Sequence, residues 1–266
     1  MKVIFGLTVR RTWKRVAALA IGFLLFELVV GLSYSSADRD LLRKLVDGLP
    51  PAFRALVSAS GADITSPSGY LGSGYFHPVA LTLQAAAAIS LAAGAARDVE
   101  DGVAEMILSR PLDRWRWLAA LGAWILVALG IIAAAGTLGG VLATRSLAAL
   151  REVNLSSLFI VGAGGWLLTA VIGMFALLVA SVVRTGGRVV GLVAGATLVA
   201  YAVNYLSVIW GVIRPLGRLS PFHYYDPTRI LGTGTLPWES VVILGAAAIT
   251  FGAAALVSVE RREFSP

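Results

Sequence analysis

RDVEDGVAEMILSRPLDRWRW, residues 97–117, is the stretch on which the reading of the fold turns. It holds nine of the chain's 37 charged side chains. Long apolar runs flank it, roughly Phe76–Ala96 before and Trp115–Ala143 after. Each is about as long as the ~20 residues a helix needs to cross a bilayer. A charged segment between two such runs reads as the link between two spans, outside the hydrocarbon.

Working outward, four more runs qualify: Val16–Tyr34, Ser157–Val183, Val189–Gly211 and Trp238–Val259. The composition agrees. Of 266 residues, 58% are hydrophobic and only 14% charged, with mean hydropathy +0.81. A soluble domain carries about 25% charge. The fold class expected is an all-α integral membrane protein with six transmembrane helices, forming one transmembrane domain over residues 1–266. The first run, at 19 residues, exceeds the roughly 7–15 of a signal-peptide core, and no convincing small-residue cleavage site follows, so it is read as a retained span.

Six spans put both termini on one side, and charge suggests which. Cytoplasmic pieces in an N-in, C-in arrangement hold 13 of the 22 basic residues, five of them at the start of the chain. The opposite loops hold nine, spread over greater length. The positive-inside bias therefore favours N-in and C-in. The net charge of +7 is explained the same way, without a nucleic-acid partner. Residues 1–15 have Val3, Ile4, Leu7 and Trp13 against Lys2, Arg10, Arg11 and Lys14, as in an interfacial helix lying on membrane lipid before the chain turns inward. A plain basic anchor explains them equally well. Residues 35–75 and 212–237 are expected to be extracytoplasmic loops. In the first, GYLGSGY reads as a flexible lead into the second span; in the second, SPFHYYDP reads as an ordered interfacial segment.

The chain has no cysteine, and His77 and His223 stand far apart, so neither thiol chemistry nor a metal site is expected. The phosphate-binding pattern G-x-x-x-x-G-K-[ST] is absent, as are G-x-S-x-G and H-E-x-x-H. The chain is therefore not expected to be catalytic by itself.

Within 97–117, Val99, Val103, Met106 and Ile107 recur at helical spacing. Asp98, Glu100 and Asp101 fall where a first turn would be, Arg110 near the end, and Pro111 would stop the helix. Five acids against one base between Asp98 and Asp113 suit anionic lipid poorly. They suit a helix docking into a groove of a soluble partner better.

This loop resembles the cytoplasmic loop of type-2 ABC transporter permeases, the six-helix membrane subunits of many bacterial exporters. The resemblance lies in Asp98 and Glu100, Gly102, Met106–Leu108, then Ser109-Arg110-Pro111 and Arg114. The basic amphipathic start and the late Ser220-Pro221-Phe222 fit as well. The usual acidic–glycine–threonine piece is Glu100-Asp101-Gly102-Val103 here, a departure that bears on subfamily. The resemblance implies a dimer of two permease subunits, homo- or heterodimeric, in a bacterial cytoplasmic membrane. It implies a separate ABC ATPase subunit holding ATP and magnesium, docked on a cytoplasmic coupling helix in loop 97–114. Coupling residues would be Asp98, Glu100, Val103, Met106, Ile107, Arg110 and Pro111. A scaffold or assembly factor holding another soluble partner by the same loop is the alternative.

Polar residues within the spans are candidates for a substrate route. Glu27 sits mid-span, where a charge costs about 2.5 kcal/mol or more. It reads either as a pathway or proton-binding group, or as a structural interhelical hydrogen bond. Tyr201 and Asn204 are weaker candidates, more often interhelical bonds. Gly191 and Gly195, spaced G-x-x-x-G, read as a close-packing seam, as do Gly162, Gly164 and Gly165; sequence does not separate packing within the chain from a dimer seam.

Overall fold

A computed structural model of the chain describes residues 2–34, 44–50, 65–103 and 113–261. The elements are α1 (Lys2–Ser33), α2 (Pro67–Tyr75), α3 (Pro78–Glu100), α4 (Arg114–Ser146), α5 (Leu155–Val182), α6 (Gly186–Ile209), α7 (Arg214–Gly217), α8 (Pro227–Thr233) and α9 (Trp238–Glu260). Among the described residues there is no strand. Six helical stretches are long and apolar enough to cross a membrane: α1, α2 with α3, α4, α5, α6 and α9. All six expected spans are present.

Local chemistry sets the helix ends. Asn154 opens α5, its Oδ1 accepting from the Ser156 N–H at 3.0 Å. His77 does the same for α3 through Nδ1 and the Val79 N–H, with Pro78 in the first turn. GYLGSGY is not a flexible lead but part of helix α2. Ser66 caps it through the Gly69 N–H at 3.0 Å, Pro67 starts it, and packing holds it despite its glycines.

Residues 1–15 do not form a separate interfacial helix that turns before the first span. Lys2 to Ser33 is one helix, because no proline or capping break stands between Arg15 and Val16. At about 1.5 Å per residue its 32 residues reach ~48 Å, more than the ~30 Å of bilayer hydrocarbon, so its basic start projects beyond the apolar layer.

Helix α4 lies at the centre of one side of the bundle, with α1 along it and α5 against it. Lipid tails are as apolar as leucine, so close packing has to hold such helices together. Glycines on α4 provide it. Gly136 receives the Phe23 ring, and Gly139 lies against the Leu24 carbonyl so closely that a Cβ there would overlap its oxygen. On α5, Gly164 and Gly165 accept the Tyr225 ring, where a Cβ would stand 3.0 and 3.1 Å from its atoms. That seam matches the sequence reading. Gly191 and Gly195 make no such seam within the chain: a Cβ at either would meet nothing within 4 Å among the described residues. Those glycines face away from the rest of the chain, and α6 is the most peripheral of the spans.

At the end of the bundle opposite the start of α1, the segment between α6 and α9 folds down onto α2. Gly72 touches the backbone of Thr228, a Cβ there coming within 2.8 Å of the Thr228 nitrogen. SPFHYYDP is ordered as expected. Ser220 caps a 3-10 turn over Pro221–Tyr224, Tyr225 is buried, and the Asp226 side chain accepts from the Arg229 N–H to open α8.

Candidate functional site: loop anchor, buried carboxyl and groove

Three features carry the candidate site residues. The first is the start of the loop. Asp98 and Glu100 do not lie in the first turn of a loop helix. They belong to the last turn of α3, which ends at Gly102 with φ 70°, a left-handed stop that favours glycine. Acids at a helix C-terminus oppose its dipole, and here each has a partner that offsets this. Asp98 Oδ1 receives the Arg11 guanidinium of α1 at 2.9 Å. Glu100 Oε2 accepts the backbone N–H of Gly186, the first residue of α6, at 3.0 Å. Arg97 lies against the same Gly186. The last turn of α3 is thus tied to the starts of α1 and α6. Val103 is half-buried beside Gly102. Met106, Ile107, Arg110 and Pro111 lie outside the described residues.

The second feature is Glu27. Its side chain is 0% exposed, and neither carboxyl oxygen has a hydrogen-bond partner among the described residues. The walls come from three helices. Gly74 of α2 lies beside it, where a Cβ would stand 3.2 Å from Oε2, and Gly139 of α4 beside its Cβ. Tyr75 is next along α2; its hydroxyl donates to the Gly136 carbonyl at 3.1 Å rather than to Glu27. The interhelical hydrogen bond offered by one sequence reading is therefore not made in this conformation.

The third feature is a groove between α3 and α6, with a volume of about 530 Å3. Its α3 wall includes Leu81, Ala85 and Ile89; its α6 wall includes Val190, Ala194 and Tyr201. Arg97 stands at one end, and Tyr201 with Phe222 at the other. These two rings meet edge to face with centroids 5.4 Å apart, and Phe76 joins them at 6.0 Å from Tyr201.

The three candidate pathway residues are therefore not gathered at one place. Tyr201 lines the groove; Asn204, half-buried one turn on, is not among the residues lining it; Glu27 is enclosed between α1, α2 and α4. Sequence reasoning missed the groove and the burial of Tyr75 and Tyr225. A signal existed for the groove: Ala85, Ala86 and Ser90 place small side chains beside Leu81 and Ile89 on one side of α3. Nothing local marks Tyr225 as buried, since it comes from a segment some sixty residues from its partner, the Val161 carbonyl, which it reaches at 3.3 Å.

Residues 1–259 match the family described as "Multidrug efflux system permease Rv1217c, C-terminal domain". The chain belongs to this family. Six membrane-length helices and a groove lined mainly by apolar side chains suit an efflux permease. Neither curated proteins nor solved structures gave a significant match.

Proposed function

We propose that this efflux-permease family member is the membrane-spanning subunit of a type-2 ABC exporter. It pairs with a second permease subunit in a bacterial cytoplasmic membrane, both termini inside. A separate ATPase subunit holds ATP and magnesium and docks on loop 97–114. The observation that carries the reading is continuity: the helix that lines the groove, α3, runs straight into that loop. Through Glu100 and the Gly186 N–H, a pull on the loop acts on α6, the facing wall. Through Asp98 and Arg11 it acts on α1. Displacing the loop therefore changes the width of the groove. The family description points to multidrug efflux, and the mainly apolar groove suits apolar compounds.

The test is affinity purification in mild detergent from the native host, followed by mass spectrometry. A stoichiometric P-loop ATPase, whose hydrolysis rises with an apolar transport substrate, is the expected result. Its absence from intact, folded protein would overturn the exporter reading and favour a scaffold.

A further inference from the structure

The elements packed around Glu27 supply its carboxyl with no counter-charge. On α1 the nearest base is Arg15, twelve residues and about 18 Å along the helix, and exposed. The α4 stretch from Trp117 to Thr144 holds no titratable residue, and α3 holds none before Arg97. On α2, the Tyr70 hydroxyl pairs with Ser33 Oγ at 2.8 Å. The hydroxyls of Tyr75 and Tyr225 lie within electrostatic reach of Glu27. Both donate elsewhere, to the Gly136 carbonyl at 3.1 Å and the Val161 carbonyl at 3.3 Å. His77, which follows Gly74 by three residues, lies against the Phe26 ring, and its Nδ1 accepts the Val79 N–H at 3.2 Å.

The walls also select by size. A Cβ on Gly74 would stand 3.2 Å from Oε2, and one on Gly139 would stand 3.2 Å from the Glu27 Cβ. No cluster of His, Asp or Glu ligands surrounds the carboxyl among the described residues. Neither a coordinated metal ion nor an organic cation fits beside it in this packing. A proton is the cation that occupies no volume. A carboxylate enclosed in apolar surroundings without donors is far costlier than the neutral acid, and such a group takes up a proton instead.

We infer that Glu27 is a proton-binding site: its carboxyl is neutral while α1 lies on α2 and α4, and the proton passes to water when α1 is drawn aside. The release step rests on the exporter reading. Helix α1 is unbroken from Lys2 to Ser33, and Arg11, 16 residues before Glu27, is held by Asp98 at the loop end of α3 at 2.9 Å. Displacement of the loop is thereby carried along α1 to Glu27. Once water enters, the O–H bond of the acid breaks, the carboxylate keeps the electron pair, and a water molecule takes the proton. Closure of α1 reverses the step. Movement of the loop then loads and unloads one proton per permease subunit.

The first experiment needs no ATPase. Infrared difference spectra of the full chain in lipid nanodiscs at neutral pH are taken against Glu27→Gln and against Glu27→Met. The native chain should show the C=O band of one protonated carboxylic acid, shifted by deuterium exchange and lost from both variants. The bands of ionised carboxylates should be unchanged. Loss of ionised-carboxylate intensity in place of that C=O band overturns the proton site. The second experiment uses the complex with its ATPase, in weak buffer with a pH-indicator dye. Binding of a non-hydrolysable ATP analogue should release one more proton per permease subunit from the native complex than from Glu27→Gln. Arg11→Asp should keep the infrared band and lose the release. Equal release from the native and Glu27→Gln complexes overturns the release step, and undiminished release from Arg11→Asp overturns α1 as its route. A protonated-acid band without a co-purifying ATPase would sink the exporter reading alone. A co-purifying ATPase without that band would sink this inference alone.

Discussion

Replacing Glu27 by methionine should stabilise the resting bundle. Both carboxyl oxygens are buried without a hydrogen-bond partner among the described residues, and leaving such a group unsatisfied costs about 1–3 kcal/mol. Methionine is larger by about a methylene group, but its flexible torsions let it settle between Gly74 and the Gly139 face. Within a bilayer the unfolded reference also finds partners, which pulls such terms towards the low end, near 0.6 kcal/mol on average. The net expectation is a gain of about 1 kcal/mol, roughly fivefold in the unfolding equilibrium. Glu27→Gln retains a polar head with nothing to bond and should give no such gain. Steric-trapping unfolding in bicelles measures both variants against the native chain. A methionine variant less stable than native by 1 kcal/mol or more would refute the reasoning, because it would mean that the carboxyl is held by a partner. Transport read in parallel separates structure from function. If Glu27 serves transport, both variants slow export while assembly is retained; an unchanged rate would make it structural.

Gly72→Ala should separate α2 from α8, since its Cβ would strike the Thr228 backbone; a loss of about 1–3 kcal/mol is expected from the same unfolding assay. Asp226→Ala removes the cap of α8 and should cost about 1 kcal/mol, whereas Asp226→Asn, which retains a capping oxygen, should cost far less. Arg11→Asp should weaken the tie between α1 and the loop and lower ATPase activation, and adding Asp98→Arg should restore it; failure of the double variant to recover argues that the pair transmits nothing. Met106→Asp or Ile107→Asp should abolish ATPase association while the spans stay folded, as checked by co-elution; binding retained by both would remove the docking-helix argument.

Much of the span pattern was legible because lipid leaves so few options. A backbone crossing hydrocarbon must satisfy its own hydrogen bonds, so about twenty apolar residues in a row already determine a helix. Thus Ser157–Val183 and Trp238–Val259 became α5 and α9 with ends displaced by a few residues. Boundaries failed where packing outweighs local signals. The glycine-rich lead to the second span is helical because Thr228 packs against Gly72, and no reading of GYLGSGY alone reveals that contact. The acids at 98–101 looked like a helix start, but Gly102 in the left-handed region makes them an end, compensated by Arg11 and Gly186 from other helices.

The sequence by itself determined that the chain is helical, how many helices can span, and that Glu27 lies among them, because these depend on composition along the chain. Only the tertiary structure decided which glycines are contacts and which are open. Gly139 is filled by α1 and Gly191 by nothing, although both sit in similar small-residue surroundings. It alone decided that Glu27 is enclosed between α1, α2 and α4 and that one side of α3 meets one side of α6 as a groove. The physical reason is that helix faces pair through shape, and in a medium as apolar as the side chains themselves, hydropathy carries no information about which face meets which.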